Sequence, residues 1–298
     1  MSTNIQSVQE AILMKPVVRE PSRAGIIWRE FRTRKAAMTA LIVLTLIVSA
    51  CLFANLISPY DPNAGEISDR LKPIGTAGHV LGTDEQGRDL LTRILYGGRL
   101  SLLSGILPVL VSSIIGGLLG IIAGYFGGVI GSLIMRALDI VFSFPAILLA
   151  IGIAAALGPG IGNILISASV VFVPPVARVA ENAVKDVRKE EYIEAAKSSG
   201  ASSALIIRYH IFKNIFARLF VFSTSQIGVC LMMASGLSFL GLGVSPPTPE
   251  WGFMLNNLKQ LIFIEPLVTI VPGIFIFVTS LCLNLVSDAL SDAFELKR

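Results

Sequence analysis

Five stretches of the chain contain no charged side chain: 36–60, 100–135, 140–177, 219–249 and 266–287. A helix needs roughly 20 apolar residues, each rising about 1.5 Å, to cross the hydrocarbon of a bilayer. Each stretch meets that length, and the one from 140 is too long for a single crossing. Near its middle stands Gly158-Pro159-Gly160-Ile161-Gly162-Asn163. Proline lacks a backbone donor and glycine tolerates turn dihedrals, so the chain is expected to reverse there. The pattern predicts an all-α chain with six membrane-spanning helices. The first lies within 36–60, and the others cover about 100–125, 134–157, 161–177, 219–240 and 266–288.

Composition agrees. Of 298 residues, 53% are hydrophobic and only 15% charged, against about 25% charged in soluble domains. The net charge of +4 would suit nucleic acid if it formed one patch, but it follows topology instead. With the amino terminus placed in the cytoplasm, 18 of the 24 Lys and Arg fall on that side. Cytoplasmic loops are the basic ones, so both termini are expected inside and no nucleic-acid partner is expected. Residues 1–35 read as a cytoplasmic tail ending in a basic interfacial piece with Trp28 and Phe31. Roughly 35 polar and basic residues before the first apolar run are unlike a cleavable signal, so that run is expected to remain as an anchor. The remaining divisions are 36–99, a first span with its outside loop, 100–290, a core of five spans, and a short 291–298 tail.

Within the spans, Gly116, Gly120 and Gly124 recur every four residues. They form a stripe of small residues that lets a second helix backbone approach closely in lipid. Arg136 and Asp139 are one turn apart and are expected to pair with each other. Pro174-Pro175 predicts a kink in the fourth span. Cys51, Cys230 and Cys282 read as small core residues, and His79 and His210 as surface residues. Between the fourth and fifth spans, 190–199 reads as a short helix with Glu190, Glu191 and Glu194 toward its start and Lys197 toward its end, as the helix dipole favours. Gly200 is placed to end it in the left-handed conformation. Ser202 or Ser203 is placed to cap a second helix through Leu205, Ile206, Tyr209 and Phe212. Such a helix–glycine–helix element suits a docking site and an ordinary solvated loop equally well.

Catalytic signatures are missing. The sequence has no G-x-x-x-x-G-K-[ST] loop for nucleotide phosphates, no H-E-x-x-H and no Cys/His cluster at metal spacing. Two transport classes remain: an ion-coupled carrier acting alone, and a permease subunit driven by an ATPase on another chain. The carrier class usually plants carboxylates deep in its spans, whereas Asp139 and Asp288 lie near helix ends.

Four segments in order carry a family resemblance. Glu194-Ala195-Ala196, then Gly200, then His210-Ile211-Phe212, resembles the cytoplasmic coupling loop (about 181–215) of bacterial ABC importer permeases. The run from His79 through Gly82, Thr83, Asp84, Gly87, Arg88 and Asp89 to Arg99 resembles the segment before the second span in the dipeptide/oligopeptide/nickel subfamily. Gly124-Tyr125-Phe126-Gly127-Gly128 with Arg136 and Asp139 is similar to its next segment. The run from Leu237 to Gly243, followed by Pro247, Glu250 and Trp251, is similar to its loop after span five. The resemblance implies a C-type permease of the type I ABC importer fold in a bacterial inner membrane, carrying di- or oligopeptides, nickel or another small solute. It implies a second, B-type permease, two ABC ATPase subunits or domains, and a periplasmic or lipid-anchored solute-binding protein. ATP and Mg would be bound on those partner subunits, with no cofactor or metal on this chain. Tyr192, Glu194, Ala195, Ala196, Gly200 and Ile211 would serve ATPase coupling. The two outside motifs would form the gate or meet the binding protein. Lys213 stands where the family usually has a proline, so the second helix of the loop is expected to continue into the fifth span.

Overall fold

A computed structural model describes residues 23–295. Its elements are α-helices: α1 Arg23–Thr33, α2 Lys35–Leu52, α3 Ala54–Ile57, α4 Leu90–Phe126, α5 Gly128–Phe142, α6 Ala146–Leu157, α7 Ile161–Val187, α8 Glu191–Ser198, α9 Ser203–Ile206, α10 Phe212–Phe239, α11 Trp251–Leu258 and α12 Pro266–Glu295. Five rods are long and apolar enough to cross a bilayer: α2, α4, α7, the combined stretch Ser203–Phe239, and α12. The pair α5 and α6 also qualifies, but it is bent by 85° at 143–145. At 1.5 Å per residue these two helices are only about 22 and 18 Å long, so neither spans a roughly 30 Å core alone. The expected count of six is met when the bent pair is taken as one crossing.

The apolar window of α7 is 61% buried, that of α2 only 17%. So α7 is the central post, and α2 lies at the periphery. The glycine stripe explains how α4 reaches that post. A Cβ at Gly116 would come within 2.6 Å of the Val173 carbonyl, and one at Gly124 within 2.8 Å of the Glu181 carbonyl. A Cβ at Gly120 would strike the Ala177 carbonyl. Missing side chains at three successive turns let the two backbones touch.

Several expectations shift. The second span starts at Leu90, ten residues before the charge-free run, because Arg93 and Arg99 are used inside the helix. At 37 residues α4 is about 55 Å long, so its first turns stand beyond the hydrocarbon. Asp139 pairs with Arg178 of α7 and not with Arg136, since the α5–α7 contact brings a guanidinium nearer than the neighbouring turn does. Pro174-Pro175 lie inside α7, which is continuous from Ile161 to Val187. The last helix continues through 291–295, where a tail was expected. Most of the expected amino-terminal tail lies outside the described residues. Cys51, Cys230 and Cys282 are all buried and unpaired.

Candidate functional site

Two layers gather the motif residues, one around α8 and one around the long loop before α4. In the first, α8 leaves α7 after Arg188, with Glu190 as its N-cap residue. Its end is a Schellman turn: the Gly200 N–H donates to the Lys197 carbonyl at 3.0 Å, and the Ala201 N–H to the Ala196 carbonyl at 3.1 Å. That turn needs a left-handed residue, and Gly200 supplies it at φ 82°. Ser202 then caps α9 by accepting from the Leu205 N–H.

The helix is seated by one side chain. Ile193 is fully buried in a cluster with Val184 of α7, Ile121 and Tyr125 of α4, Ile206 of α9, Ile211, and Ile215 and Leu219 of α10. Burying an isoleucine is worth about 1.5–3 kcal/mol, enough to hold so short a helix in one place. The rest of the segment presents Glu191, Tyr192, Glu194, Ala195, Lys197 and Gly200 to the outside, with Ala196 half-buried at the edge. Asn214 donates to the Tyr192 hydroxyl at 3.0 Å, tying the face back to α10.

Ile211 stands apart from the other motif positions. It is fully buried, so it anchors the segment and cannot touch another protein. Of the residues expected along the second helix, Ile206 points inward with Ile211 and Ile215, whereas Leu205, Tyr209 and Phe212 are exposed. The reason is a π turn at Ile207–Ile211, which adds one residue to a helical turn and makes the buried spacing five and then four. The rod passes unbroken through Lys213.

In the second layer the motif residues turn inward. Thr83, Asp84, Arg88, Asp89, Glu250 and Trp251 are each at most 5% exposed, so none of them offers a surface to a binding protein. Asp84 accepts from Arg88 Nε at 2.7 Å and lies 3.3 Å from Arg93 Nε. Arg93 Nη1 also donates to the carbonyls of Pro62 at 2.6 Å and Pro247 at 3.2 Å, joining both outer loops to α4. Buried charges persist only when paired and hydrogen-bonded in this way. Asp89 caps α4 by accepting from the Thr92 N–H at 2.8 Å. His79, expected at the surface, is 8% exposed, with Nδ1 3.0 Å from Asp89 and Nε2 3.4 Å from Asp69. The Lys72 ammonium, with help from His79 and Ser68, holds the Asp69 carboxyl below the usual carboxylate range. This contribution is present above the ordinary aspartate pKa and is lost as pH falls below it. Gly82 and Gly87 take left-handed φ values of 78° and 74°, and a Cβ at Gly87 would strike the Glu66 backbone.

Glu250 is the hub of this layer. It accepts from the N–H groups of Gly252 and Phe253 at 3.0 and 2.9 Å, from the Ser101 hydroxyl at 2.8 Å, and from the Ser238 hydroxyl. Trp251 donates its indole N–H to the Ile94 carbonyl at 2.8 Å. One carboxylate thus joins α4, α10 and α11. Among the motif residues of this layer, Pro247 is exposed. Sequence reasoning missed Ile193, Arg93 and Ser101. The first fills the helix face opposite the acidic side chains, while the other two have partners far away in the chain.

A helical bundle with a glycine-stripe backbone contact, a buried ionic layer at one end and a short solvent-facing helix at the other is the architecture of a multi-pass membrane protein. The chain belongs to the binding-protein-dependent transport system inner membrane components, whose pattern matches residues 116–298. Residues 22–73 match the N-terminal transmembrane domain of oligopeptide transport permease C. The glutathione transport system permease protein GsiD of Shigella boydii serotype 4 is 40% identical over 294 residues, covering 98% of this chain and 96% of that one. GsiD of Escherichia coli O157:H7 matches to the same extent. GsiD of Escherichia coli O6:K15:H31 is 41% identical over 270 residues, covering 91% and 89%. The chain is therefore a multi-pass inner-membrane permease of an ABC importer with the type I fold, and not itself an enzyme. ATP is hydrolysed on separate subunits, and a partner permease and a binding protein complete the system. The ion-coupled carrier reading has no support.

Proposed function

We propose that α8 is the foot through which ATPase subunits move this permease, and that the cargo is a small peptide. The observation that carries the first part is Ile193, whose pocket is shared by α4, α7 and α9–α10. Displacement of α8 is thereby delivered to three crossings at once, which suits a rigid-body switch between outward-open and inward-open states. Tyr192, Glu194, Ala195 and Ala196 form the docking face, Gly200 closes it, and Ile211 secures it from below. Two ATPase subunits or domains, with ATP and Mg, sit beneath this chain and a distinct B-type permease, and this chain holds no cofactor of its own. Both termini lie on the same, cytoplasmic side as α8, as the basic-residue distribution favours. A periplasmic or lipid-anchored binding protein meets the opposite side at the exposed 245–248 turn rather than at the buried motif residues. A peptide cargo is supported by relatives named for glutathione transport and by the oligopeptide permease match.

The test is Gly200→Val in the reconstituted transporter. A β-branched residue at φ 82° costs at least about 1–2 kcal/mol in the left-handed region, yet a Cβ there meets nothing within 4 Å. The strain therefore distorts the foot without disturbing the core. Membrane insertion should remain normal, and ATP-driven uptake should fall at least tenfold relative to ATP hydrolysis. Unchanged uptake per ATP would remove the foot from the drive.

A further inference from the structure

The bend between α5 and α6 lies on an exposed face. Phe142, Ser143, Phe144, Pro145 and Ala146 are all exposed. The Ser143 N–H still reaches the Asp139 carbonyl at 2.9 Å, and the Leu149 N–H the Pro145 carbonyl at 3.0 Å, but the ladder breaks between them. Irregular backbone at membrane depth survives only against protein or water, because lipid offers no hydrogen bonds. Beside it stands the ion pair of Asp139 and Arg178, with both side chains 51% exposed. The Arg178 guanidinium lies 5.8 Å over the Phe142 ring, which ties the pair to the bend. Arg178 is 17 residues from Ile161, about 25 Å along α7, so on the topology proposed above it sits in the inner part of the bilayer. Exposed charges there are costly in lipid and mark an aqueous or protein-lined surface.

We propose that this face, the bend at 143–145 with the Asp139–Arg178 pair, is a wall of the translocation pathway near its inner mouth. The pair engages cargo that carries both an ammonium and a carboxylate, one charge for each partner. This rests on the permease reading and adds where in the chain the cargo passes and which ends of it are felt.

The experiment uses the complete transporter in inside-out vesicles. Ser143→Cys and Phe144→Cys are treated with a negatively charged, membrane-impermeant methanethiosulfonate. The three native thiols are buried and give a low background. Leu46→Cys, on the exposed face of α2, is the lipid-facing control. Both bend thiols should react at least tenfold faster than the control, and ATP should change their rate. Reaction no faster than the control, or none even with a membrane-permeant maleimide, marks lipid or a permease–permease interface and overturns the proposal. Labelling needs no cargo, so its failure is distinct from failure of the importer reading, which would appear as wild-type uptake independent of ATP. For the charges, uptake of a free tripeptide is compared with that of the same tripeptide capped at both ends. In the Asp139→Asn/Arg178→Gln double variant the preference for the free form should fall at least about tenfold, because a charge-assisted hydrogen bond is lost at each end of the cargo. An unchanged preference overturns the assignment of the pair to the cargo.

Discussion

Asp84→Ala should leave little folded permease. The substitution removes the carboxylate shared by Arg88 and Arg93, whose side chains are only 3% and 1% exposed. A buried charge stripped of its partner costs about 3–5 kcal/mol, a large share of the roughly 5–15 kcal/mol that holds a typical domain together. Asp84 also accepts from the N–H groups of Gln86 and Arg88 at 2.9 and 3.0 Å, so the turn that presents the arginines loosens with it. Asp84→Asn keeps one acceptor oxygen for those amides and should fall between the two. The measurement is the yield of monodisperse permease after detergent extraction, with its thermal midpoint. A wild-type midpoint for Asp84→Ala would mean that the ionic layer does not hold the outer end.

A single methyl group should separate two neighbouring glycines just as clearly. In Gly120→Ala the new Cβ meets the Ala177 carbonyl and lies 2.5 Å from the Ala180 Cβ. Backbone cannot move aside as a flexible side chain does, so α4 and α7 must part, at a cost of about 1–3 kcal/mol. In Gly117→Ala, three residues earlier, the nearest atom is the Leu219 Cδ1 at 3.9 Å. There the better helix propensity of alanine prevails, and the variant should be unchanged or more stable by up to about 1 kcal/mol. Thermal midpoints of the two variants in the same detergent decide the matter. Equal shifts would show that the stripe is not a helix contact.

What could be seen in the sequence follows from where the physics is local. Charge-free runs mark the spans because the bilayer imposes length and apolarity residue by residue. Gly200 was legible because a left-handed helix end is a one-residue demand. The start of α4 was hidden, since Arg93 and Arg99 look forbidden in a span until their acceptors are known: Pro62 and Pro247 carbonyls for one, Cys51 and Leu52 carbonyls for the other. The inward face of α9–α10 was hidden by the π turn, which breaks the period a helical reading assumes. His79 looked like a surface residue because Asp69 and Asp89, each ten residues away, fold over it. In sequence the outer motif residues read as gate or contact residues, but their burial and mutual pairing depend on partners elsewhere in the chain.

The length of α4 links the two membrane faces. Its first turn carries Arg93, bound to the outer loops, and its last turns carry Ile121 and Tyr125, which form part of the socket for Ile193. One continuous helix thus joins the outer ionic layer to the socket of α8. Energetic linkage between two binding events is reciprocal. If α8 is the foot proposed above, the same helix that lets nucleotide reshape the mouth would let an arriving cargo carrier report its presence to the motor.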